Sequence, residues 1–182
     1  KPDGIYFDGT LGGGGHSLEI VKKLDGGRLI CVDKDAEAIM FAADRLKDYK
    51  DKISFVHDDF KNAAKILDSL KVDALDGFIL DLGVSSYQID NKERGFSYIH
   101  DAPLDMRMNR DQYLTAFNVV NEYSVAKLEK ILFEYGEERY APAIARAIVR
   151  ARETAPVNTT LELVEIIKRA MPAAALREKQ HP

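Results

Sequence analysis

The alternation of short apolar runs with amphipathic segments in the first hundred residues limits the possible folds more than any other feature of the sequence. Four runs have the length and the β-branched content of buried strands. These runs are Ile5–Phe7, Leu29–Val32, Ile53–Val56 and Phe78–Leu80. Between them, apolar residues recur at helical spacing. The resulting βαβαβαβ order predicts an α/β fold with a doubly wound parallel sheet, which binds ligands at the carboxyl ends of its strands.

After Asp105 the strand-like runs stop, and only helical patterns follow. Three helices are predicted, with limits at Ser124 to Gly136, Tyr140 to Ala151 and Thr159 to Ala170. Thr159 and Glu162 have the spacing of a capping box. Residues 110–175 are therefore predicted to form an all-helical subdomain attached to the α/β part.

The composition is that of an ordinary globular protein, with 46% hydrophobic and 31% charged residues among 182. The single cysteine, Cys31, lies in an apolar run and is predicted to be a buried, inert thiol.

No run approaches the roughly 20 apolar residues of a membrane span, and the first residues do not form a signal peptide. We therefore expect a cytoplasmic protein without a membrane partner. The first residue is not Met, so we also expect the chain to be a piece of a longer protein.

A glycine-rich loop carries the strongest chemical signal. The run DGTLGGGGHS (8–17) lies between the first predicted strand and the first helix, where backbone N–H groups and a helix N-terminus can approach a ligand closely. A P-loop requires a Lys that is missing here, and no register supplies the glycine spacing of a dinucleotide fingerprint. Phosphate is therefore not the indicated ligand.

Polar residues follow the other three predicted strands. Asp33 ends the second strand, where a carboxylate can accept hydrogen bonds from both hydroxyls of a ribose. The third strand ends in His57-Asp58-Asp59-Phe60, with polar groups for an exocyclic amine and a ring that can pack on adenine. The fourth ends in Asp81-Leu82-Gly83-Val84-Ser85-Ser86. This row of strand ends indicates a nucleoside cofactor, and its order is that of a class I S-adenosylmethionine site.

Five motifs closely resemble the bacterial ribosomal RNA small subunit methyltransferase H (MraW) family. They are DGTLGGGGHS (8–17), DLGVSSYQID (81–90), ERGFSY (93–98), DAPLDMRM (101–108) and YGEERYAPAIARAIV (135–149). The resemblance implies a class I S-adenosylmethionine-dependent methyltransferase fold, incomplete here, with a helical insertion. It implies methylation of the exocyclic N4 of a cytidine in the decoding region of 16S rRNA in the 30S subunit. The implied domains are a cofactor-binding core (1–109), the insertion (110–175) and the start of a return to the core (176–182).

The resemblance also implies the residues that contact S-adenosylmethionine. Carried onto this sequence, they are Gly14, Gly15, His16, Asp33, Phe60, Asp81 and Gln88. The strand-end pattern predicts all of these except His16 and Gln88. His16 could instead cap the first helix, and Gln88 could instead satisfy a turn. No metal site is predicted.

The proton acceptor of the implied reaction stays open between Asp81 and Asp105. An exocyclic cytosine amine is a poor nucleophile, so hydrogen bonds must draw its nitrogen toward sp³ geometry beside the methyl donor. Other amino-methyltransferases use an Asp/Asn/Ser-Pro-Pro-aromatic turn after the fourth strand. Here Asp81 holds the first place of that turn, but the Pro-Pro-aromatic part is missing.

Arginines in the second half are candidate RNA contacts. Residues up to Asp105 carry 14 Lys+Arg against 20 Asp+Glu, whereas the rest carry 12 against 10. Arg139, Arg146 and Arg150 are spaced by seven and four residues, which predicts one helix face that can follow a phosphate backbone. The alternative is a solvated helix face. Arg107, in the run 101–108, is a further candidate.

Two other functions stay open, and the edge of the predicted sheet has a structural consequence. A nicotinamide-dependent oxidoreductase and a non-enzymatic RNA-binding module are the alternatives to a methyltransferase. The predicted strand order 3-2-1-4 leaves the fourth strand at an edge, where its backbone groups are unpaired. We therefore expect this chain either to associate through that edge or to have a poorly ordered reaction side. Cofactor binding should be weak or absent, with little or no methyl transfer.

Overall fold

The computed structural model describes residues 1–173 and 175. Within them, four strands form one parallel sheet in the order β3-β2-β1-β4. The strands are β1 (Ile5–Asp8), β2 (Arg28–Asp33), β3 (Ile53–His57) and β4 (Gly77–Ile79). The predicted strands and their order are confirmed, and β4 begins and ends one residue earlier than the apolar run indicates.

The register brings the carboxyl ends of all four strands to one edge of the sheet. Asp8 pairs with Cys31 on one side and with Ile79 on the other. Asp33 at the end of β2 pairs with His57 at the end of β3. The loops that follow these residues therefore lie side by side, which is the placement expected for a ligand site in a doubly wound sheet.

Strand β2 lies inside the sheet, between β3 and β1, and both of its faces are buried. Leu29 and Cys31 belong to one apolar cluster, while Ile30 and Val32 belong to another. Burying a side chain of this size contributes about 1.5–3 kcal/mol. The thiol of Cys31 is buried as predicted, and burial raises its pKa to about 12.

Helices cover both faces of this sheet. They are α1 (Gly15–Val21), α2 (Ala36–Arg45) and α3 (Ala63–Ser69). Val21 of α1 and Ala42 of α2 pack in the cluster of Leu29, whereas Ile66 of α3 packs in the cluster of Ile30. The side chain of Asp35 caps α2 by accepting from the N–H of Glu37 at 3.1 Å. A short helix, α4 (Ser86–Asp90), follows β4 and was not predicted.

A second group of helices has its own core. They are α5 (Ala116–Glu122), α6 (Val125–Glu134), α7 (Ala141–Arg152) and α8 (Thr160–Ala170). The Ser124 cap and the Thr159–Glu162 capping box are confirmed. The pattern missed α5, although Thr115 and Asn118 form a reciprocal cap there. In that cap Asn replaces the usual Glu or Gln, so the local signal is weak.

Contacts divide the chain into two compact units. The first contains Lys1–Tyr87 with Met108–Arg110, and the second contains Gln88–Arg107 with the described residues from Asp111 onward. Segment 88–107 packs with the helices because the N–H of Ala102 donates to Oγ1 of Thr160 at 3.1 Å and Leu104 joins their core. The domain limits 1–109, 110–175 and 176–182 remain predictions, and the last segment lies outside the described residues.

Strand β4 forms one edge of the described sheet, since its ladder partner is β1. Phe78 on this strand is 73% exposed. Association through this edge stays a prediction. Among the described residues, no helix combines the length and the apolar character that a membrane crossing requires.

Candidate functional site

The glycine loop between β1 and α1 is held against the sheet by its own backbone. The N–H of Leu11 donates to the carbonyl of Val32 at 3.1 Å, and the N–H of Gly14 donates to the carbonyl of Leu11 at 2.8 Å. Gly12 and Gly14 have φ values of 49° and 72°, in the left-handed region that glycine adopts without strain. The loop therefore needs glycine at these two positions for its backbone alone.

The loop glycines face different surroundings. A Cβ on Gly14 would lie 3.2 Å from the Cβ of Ala42 and 3.3 Å from Cδ1 of Leu46, so this glycine allows close packing on α2. A Cβ on Gly15 would have no neighbour within 4 Å. The place of a Cβ on Gly14 is thus taken by α2, and cofactor contact through the Gly14 backbone stays a prediction. Gly15, at the first turn of α1, is open.

Asp33 is fixed by two backbone donors at the end of β2. Its Oδ2 accepts from the N–H of Gly12 at 2.8 Å, and its Oδ1 accepts from the N–H of Asp35 at 2.9 Å. Each carboxylate oxygen has a second lone pair, so both can still accept from a ligand hydroxyl. Asp33 is half-buried, and its two carboxylate oxygens are fixed so that each can accept a hydrogen bond from one ribose hydroxyl.

The loop after β3 presents an aromatic ring and a carboxylate. Phe60 is half-buried, and its Cβ lies 3.0 Å from the place that a Cβ on Gly9 would take. Asp58 lies beside Asp33, because its N–H donates to the carbonyl of Asp33 at 3.1 Å. The hydrogen bond from the Asn62 side chain lowers the pKa of Asp58, with a smaller contribution from the N–H of Asp59. This carboxylate is therefore ionised near neutral pH.

The loop after β4 places Asp81 beside the glycine loop. Its N–H donates to Oγ1 of Thr10 at 2.7 Å. Its Oδ2 lies 3.9 Å from Nδ1 of His16, and the two side chains are 72% and 61% exposed. The ring of His16 thus lies beside a carboxylate and makes no described contact that caps α1. An exposed imidazole and carboxylate flank the open side of the glycine loop.

Beneath the loop lies a buried carboxylate, Asp8. Its Oδ2 accepts from the hydroxyl of Ser17 at 2.7 Å, and its Oδ1 accepts from the N–H of Thr10 at 3.1 Å. Burial raises the pKa of Asp8, and the hydrogen bond from Ser17 opposes that shift. Asp8 thus connects β1, the glycine loop and α1.

Gln88 and Asp105 belong to the second unit. Gln88 is buried in α4. Asp105 is bound by Arg107, whose guanidinium also donates to the carbonyl of Gln112 at 2.7 Å. Oδ1 of Asp105 accepts from both the backbone N–H and Nε of Arg107, and Oδ2 accepts from Nη2, so three charge-assisted or backbone donors already engage this carboxylate. Asp105 is therefore a poorer proton acceptor than the exposed Asp81.

The predicted arginine face is only partly formed. Arg146 and Arg150 are exposed on α7. Arg139 precedes α7, and its guanidinium lies 5.0 Å from the ring centroid of Tyr140. The prediction of three arginines on one helix is therefore wrong for Arg139, because the helix begins at Ala141. All three remain candidate RNA contacts, whereas Arg107 uses its donors within the second unit.

A sheet of order 3-2-1-4 with a glycine loop, a carboxylate and a ring at consecutive strand ends is the arrangement of a class I methyltransferase core. The sequence model of the MraW methylase family matches residues 1–182. The chain belongs to the MraW methylase family. Its parallel sheet and flanking helices are accordingly the class I methyltransferase fold, so the predicted fold class is confirmed.

Curated relatives of the family are similar along the whole chain. A protein of Clostridium botulinum (strain Kyoto / Type A2) named ribosomal RNA small subunit methyltransferase H is 57% identical over 183 residues. One of the same name from Lachnospira eligens is 51% identical. All of this chain is covered, but only 59% and 58% of these relatives, so the chain spans about three-fifths of their length.

A solved chain from Clostridium thermocellum is a more distant match. It is 21% identical with a TM-score of 0.42, over 47% of this chain and 45% of that one. Among residues 1–173 and 175, no group of three or more His, Cys, Asp or Glu side chains is arranged to hold a metal ion.

Two residues of the site were not identified from the sequence. Asp8 and Thr10 lie within the glycine-rich motif, but neither carried a predicted role. Their hydrogen-bond partners include Ser17 and Asp81, and the second of these is 71 residues from Thr10. The sequence places Asp8 directly after an apolar strand, where a carboxylate is buried and needs hydrogen-bond donors. That position was the available signal.

Proposed function

We propose that this chain is the cofactor-binding part of an enzyme that methylates small-subunit ribosomal RNA with S-adenosylmethionine. The target we propose is the exocyclic N4 of a cytidine in the decoding region of 16S rRNA, within the 30S subunit in the cytoplasm. Family membership and the name of the curated relatives support this function. The row formed by the glycine loop, Asp33, Phe60 and Asp81 is the structural observation that carries it.

The strand-end residues fit a nucleoside cofactor. Asp33 has a free lone pair on each oxygen for the ribose, and Phe60 offers a ring face for adenine. Gly12 and Gly15 leave the loop open, since a Cβ on Gly12 would meet its nearest neighbour at 3.8 Å. When bound, S-adenosylmethionine supplies an electrophilic methyl group. We assign its contacts to Gly14, Gly15, His16, Asp33, Phe60, Asp81 and Gln88, with Gly14 acting through the backbone.

For the transfer step we favour Asp81 as the group that faces the target amine. Its carboxylate is exposed, whereas Asp105 is held by Arg107. A carboxylate that accepts a hydrogen bond from the amine localises the nitrogen lone pair, and it can take the proton released after methylation. Nδ1 of His16 lies 3.9 Å from Oδ2 of this carboxylate.

The helical unit is the proposed RNA-gripping part. Arg146 and Arg150 are four residues apart on α7, so their side chains leave the same face of the helix. Neither belongs to the core cluster formed by Ile144, Ala145 and Ile148. Two exposed cations on one rigid helix can contact successive phosphates of an RNA strand.

The function is tested by binding followed by product mapping. Calorimetry of the natural full-length protein should show binding of S-adenosylmethionine and S-adenosylhomocysteine but not of NAD, whereas this chain should bind the cofactor weakly or not at all. Methyl transfer to 30S subunits is then mapped by mass spectrometry of RNA fragments. A methyl group on cytidine N4 in the decoding region supports the proposal. Binding of NAD alone, or methylation of another nucleotide, would overturn it.

A further inference from the structure

A continuous hydrogen-bonded path crosses the first unit beneath and beside the glycine loop. The hydroxyl of Ser17 on α1 donates to the buried carboxylate of Asp8, which accepts the N–H of Thr10 on its other oxygen. Oγ1 of Thr10 then accepts the N–H of Asp81. The path thereby connects the end of β1 and α1, which are neighbours in sequence, with the distant loop after β4.

The last link of this path is short and lies where packing is weak. The Asp81 N–H to Thr10 Oγ1 distance is 2.7 Å. The side chain of Asp81 is 72% exposed, and Leu82 and Val84 of the same loop are exposed as well. Burial therefore contributes little to the position of this loop, and the hydrogen bond to Thr10 contributes more.

The starting point of the path is rigid. Asp8 and Ser17 are both almost fully buried, so their side chains are confined to the observed arrangement. The N–H of Thr10 is thereby fixed relative to β1, and its side chain reaches the end of β4 from a defined place. Threonine suits this role because its branched Cβ restricts χ1.

We propose that Thr10 is a positioning residue that sets the place of Asp81 beside the glycine loop. Thr10 acts through the Asp81 backbone, and Asp81 is the residue that faces the cofactor and the target amine. This inference rests on the proposed function, because it concerns the same site. The hydroxyl is the essential feature, since a methyl group in its place cannot accept the N–H of Asp81.

The decisive variants are Thr10→Val, which keeps the shape of the side chain, and Thr10→Ser, which keeps the hydroxyl. We expect Thr10→Val to weaken S-adenosylhomocysteine binding roughly 3- to 10-fold and Thr10→Ser to restore most of that loss. Thr154→Val is the matched control, because Thr154 is exposed at the end of α7 and should bind normally. Equal binding by wild type and Thr10→Val would overturn the proposal.

A double-mutant cycle separates positioning from general destabilisation. If Thr10 acts through Asp81, then Thr10→Val in an Asp81→Ala background should cost little further affinity, so the two losses are not additive. Additive losses would overturn the proposal. If Thr10→Val fails to fold, Thr10→Ser and Thr10→Ala provide the same comparison. These variants are made in the natural full-length protein, and failure of its wild type to bind S-adenosylhomocysteine would instead refute the proposed function itself.

Discussion

The guanidinium of Arg107 donates to both carboxylate oxygens of Asp105, with Nε–Oδ1 at 2.9 Å and Nη2–Oδ2 at 2.8 Å. Both side chains are largely buried, at 22% and 13% exposure. The hydrogen bond that Arg107 donates to Asp105 is the main cause of the raised pKa of Arg107. The backbone of Arg107 is also held, because Nη2 of the buried Arg94 donates to the carbonyl of Arg107 at 2.8 Å. These contacts indicate that Asp105 stabilises the second unit.

Asp105→Asn is accordingly expected to lower the free energy of unfolding by about 1–3 kcal/mol, because it weakens a charge-assisted pair in a partly buried place. Urea denaturation measures the change. Arg107→Gln should cost a similar amount, and the double variant should cost less than the sum. If Asp105→Asn kept full stability but abolished methyl transfer, Asp105 rather than Asp81 would be the proton acceptor.

Asp33→Ala should weaken binding of S-adenosylmethionine by about 1.5–3 kcal/mol, because two charge-assisted hydrogen bonds to the ribose are lost. Calorimetric titration measures the loss. Since Asp33 also accepts from Gly12 and Asp35, the same variant should loosen the glycine loop. Asp33→Asn keeps one acceptor and should show an intermediate affinity. Unchanged affinity in both variants would remove Asp33 from the site.

Gly14 and Gly15 are adjacent but should respond differently to alanine. Gly14→Ala adds a Cβ at 3.2 Å from Ala42 on a backbone with φ of 72°, and should cost about 1–3 kcal/mol of stability. Gly15→Ala meets no neighbour within 4 Å and begins α1, so stability should stay the same or rise by up to about 1 kcal/mol. Its effect should be on cofactor affinity instead. Thermal unfolding and titration of both variants test this separation, and equal stability losses would contradict it.

The strand ends were accessible to sequence analysis because they depend on local pattern. Apolar runs bounded by Gly and Asp predict the strands, and the parallel order then places Asp33 and Phe60 at one edge. The contact between Thr10 and Asp81 depends on how β1 and β4 pair, and no local pattern encodes it. The place of Arg139 was wrong because a turn ends at Tyr140, whose N–H donates to Oε1 of Glu138.

Asp8 should make stability depend on pH in an identifiable way. Burial raises the pKa of Asp8 above the usual 3.8. The folded state therefore holds the carboxyl proton of Asp8 more tightly than the unfolded state does. Stability is therefore greatest below the unfolded pKa and falls as pH rises through the folded pKa. Asp8→Asn keeps an acceptor for Thr10 and a donor for Ser17 without a charge. The stability of the wild type relative to Asp8→Asn should decrease as pH rises from below the usual pKa of 3.8 through the raised pKa of Asp8 in the folded protein. A constant difference in urea denaturation would contradict the assignment.

Arg146→Ala with Arg150→Ala should weaken RNA binding without changing cofactor affinity. Each lost phosphate contact should reduce the slope of log K against log salt by about 0.7–0.9. Lys168→Ala, on the exposed face of α8, is a matched control for loss of one surface cation. Binding to 30S RNA over a range of salt concentrations measures the slope. A slope equal to that of the wild type would identify the pair as a solvated helix face.

The buried sulfur of Cys31 makes the protein a convenient host for a single reporter group. Its sequence contains no other cysteine, and a thiol with a pKa of about 12 carries almost no thiolate at neutral pH. Thiol-alkylating dyes are therefore not expected to react with the native protein. A cysteine introduced at an exposed position of α7 would take up one fluorophore, and its emission would follow the docking of RNA in real time.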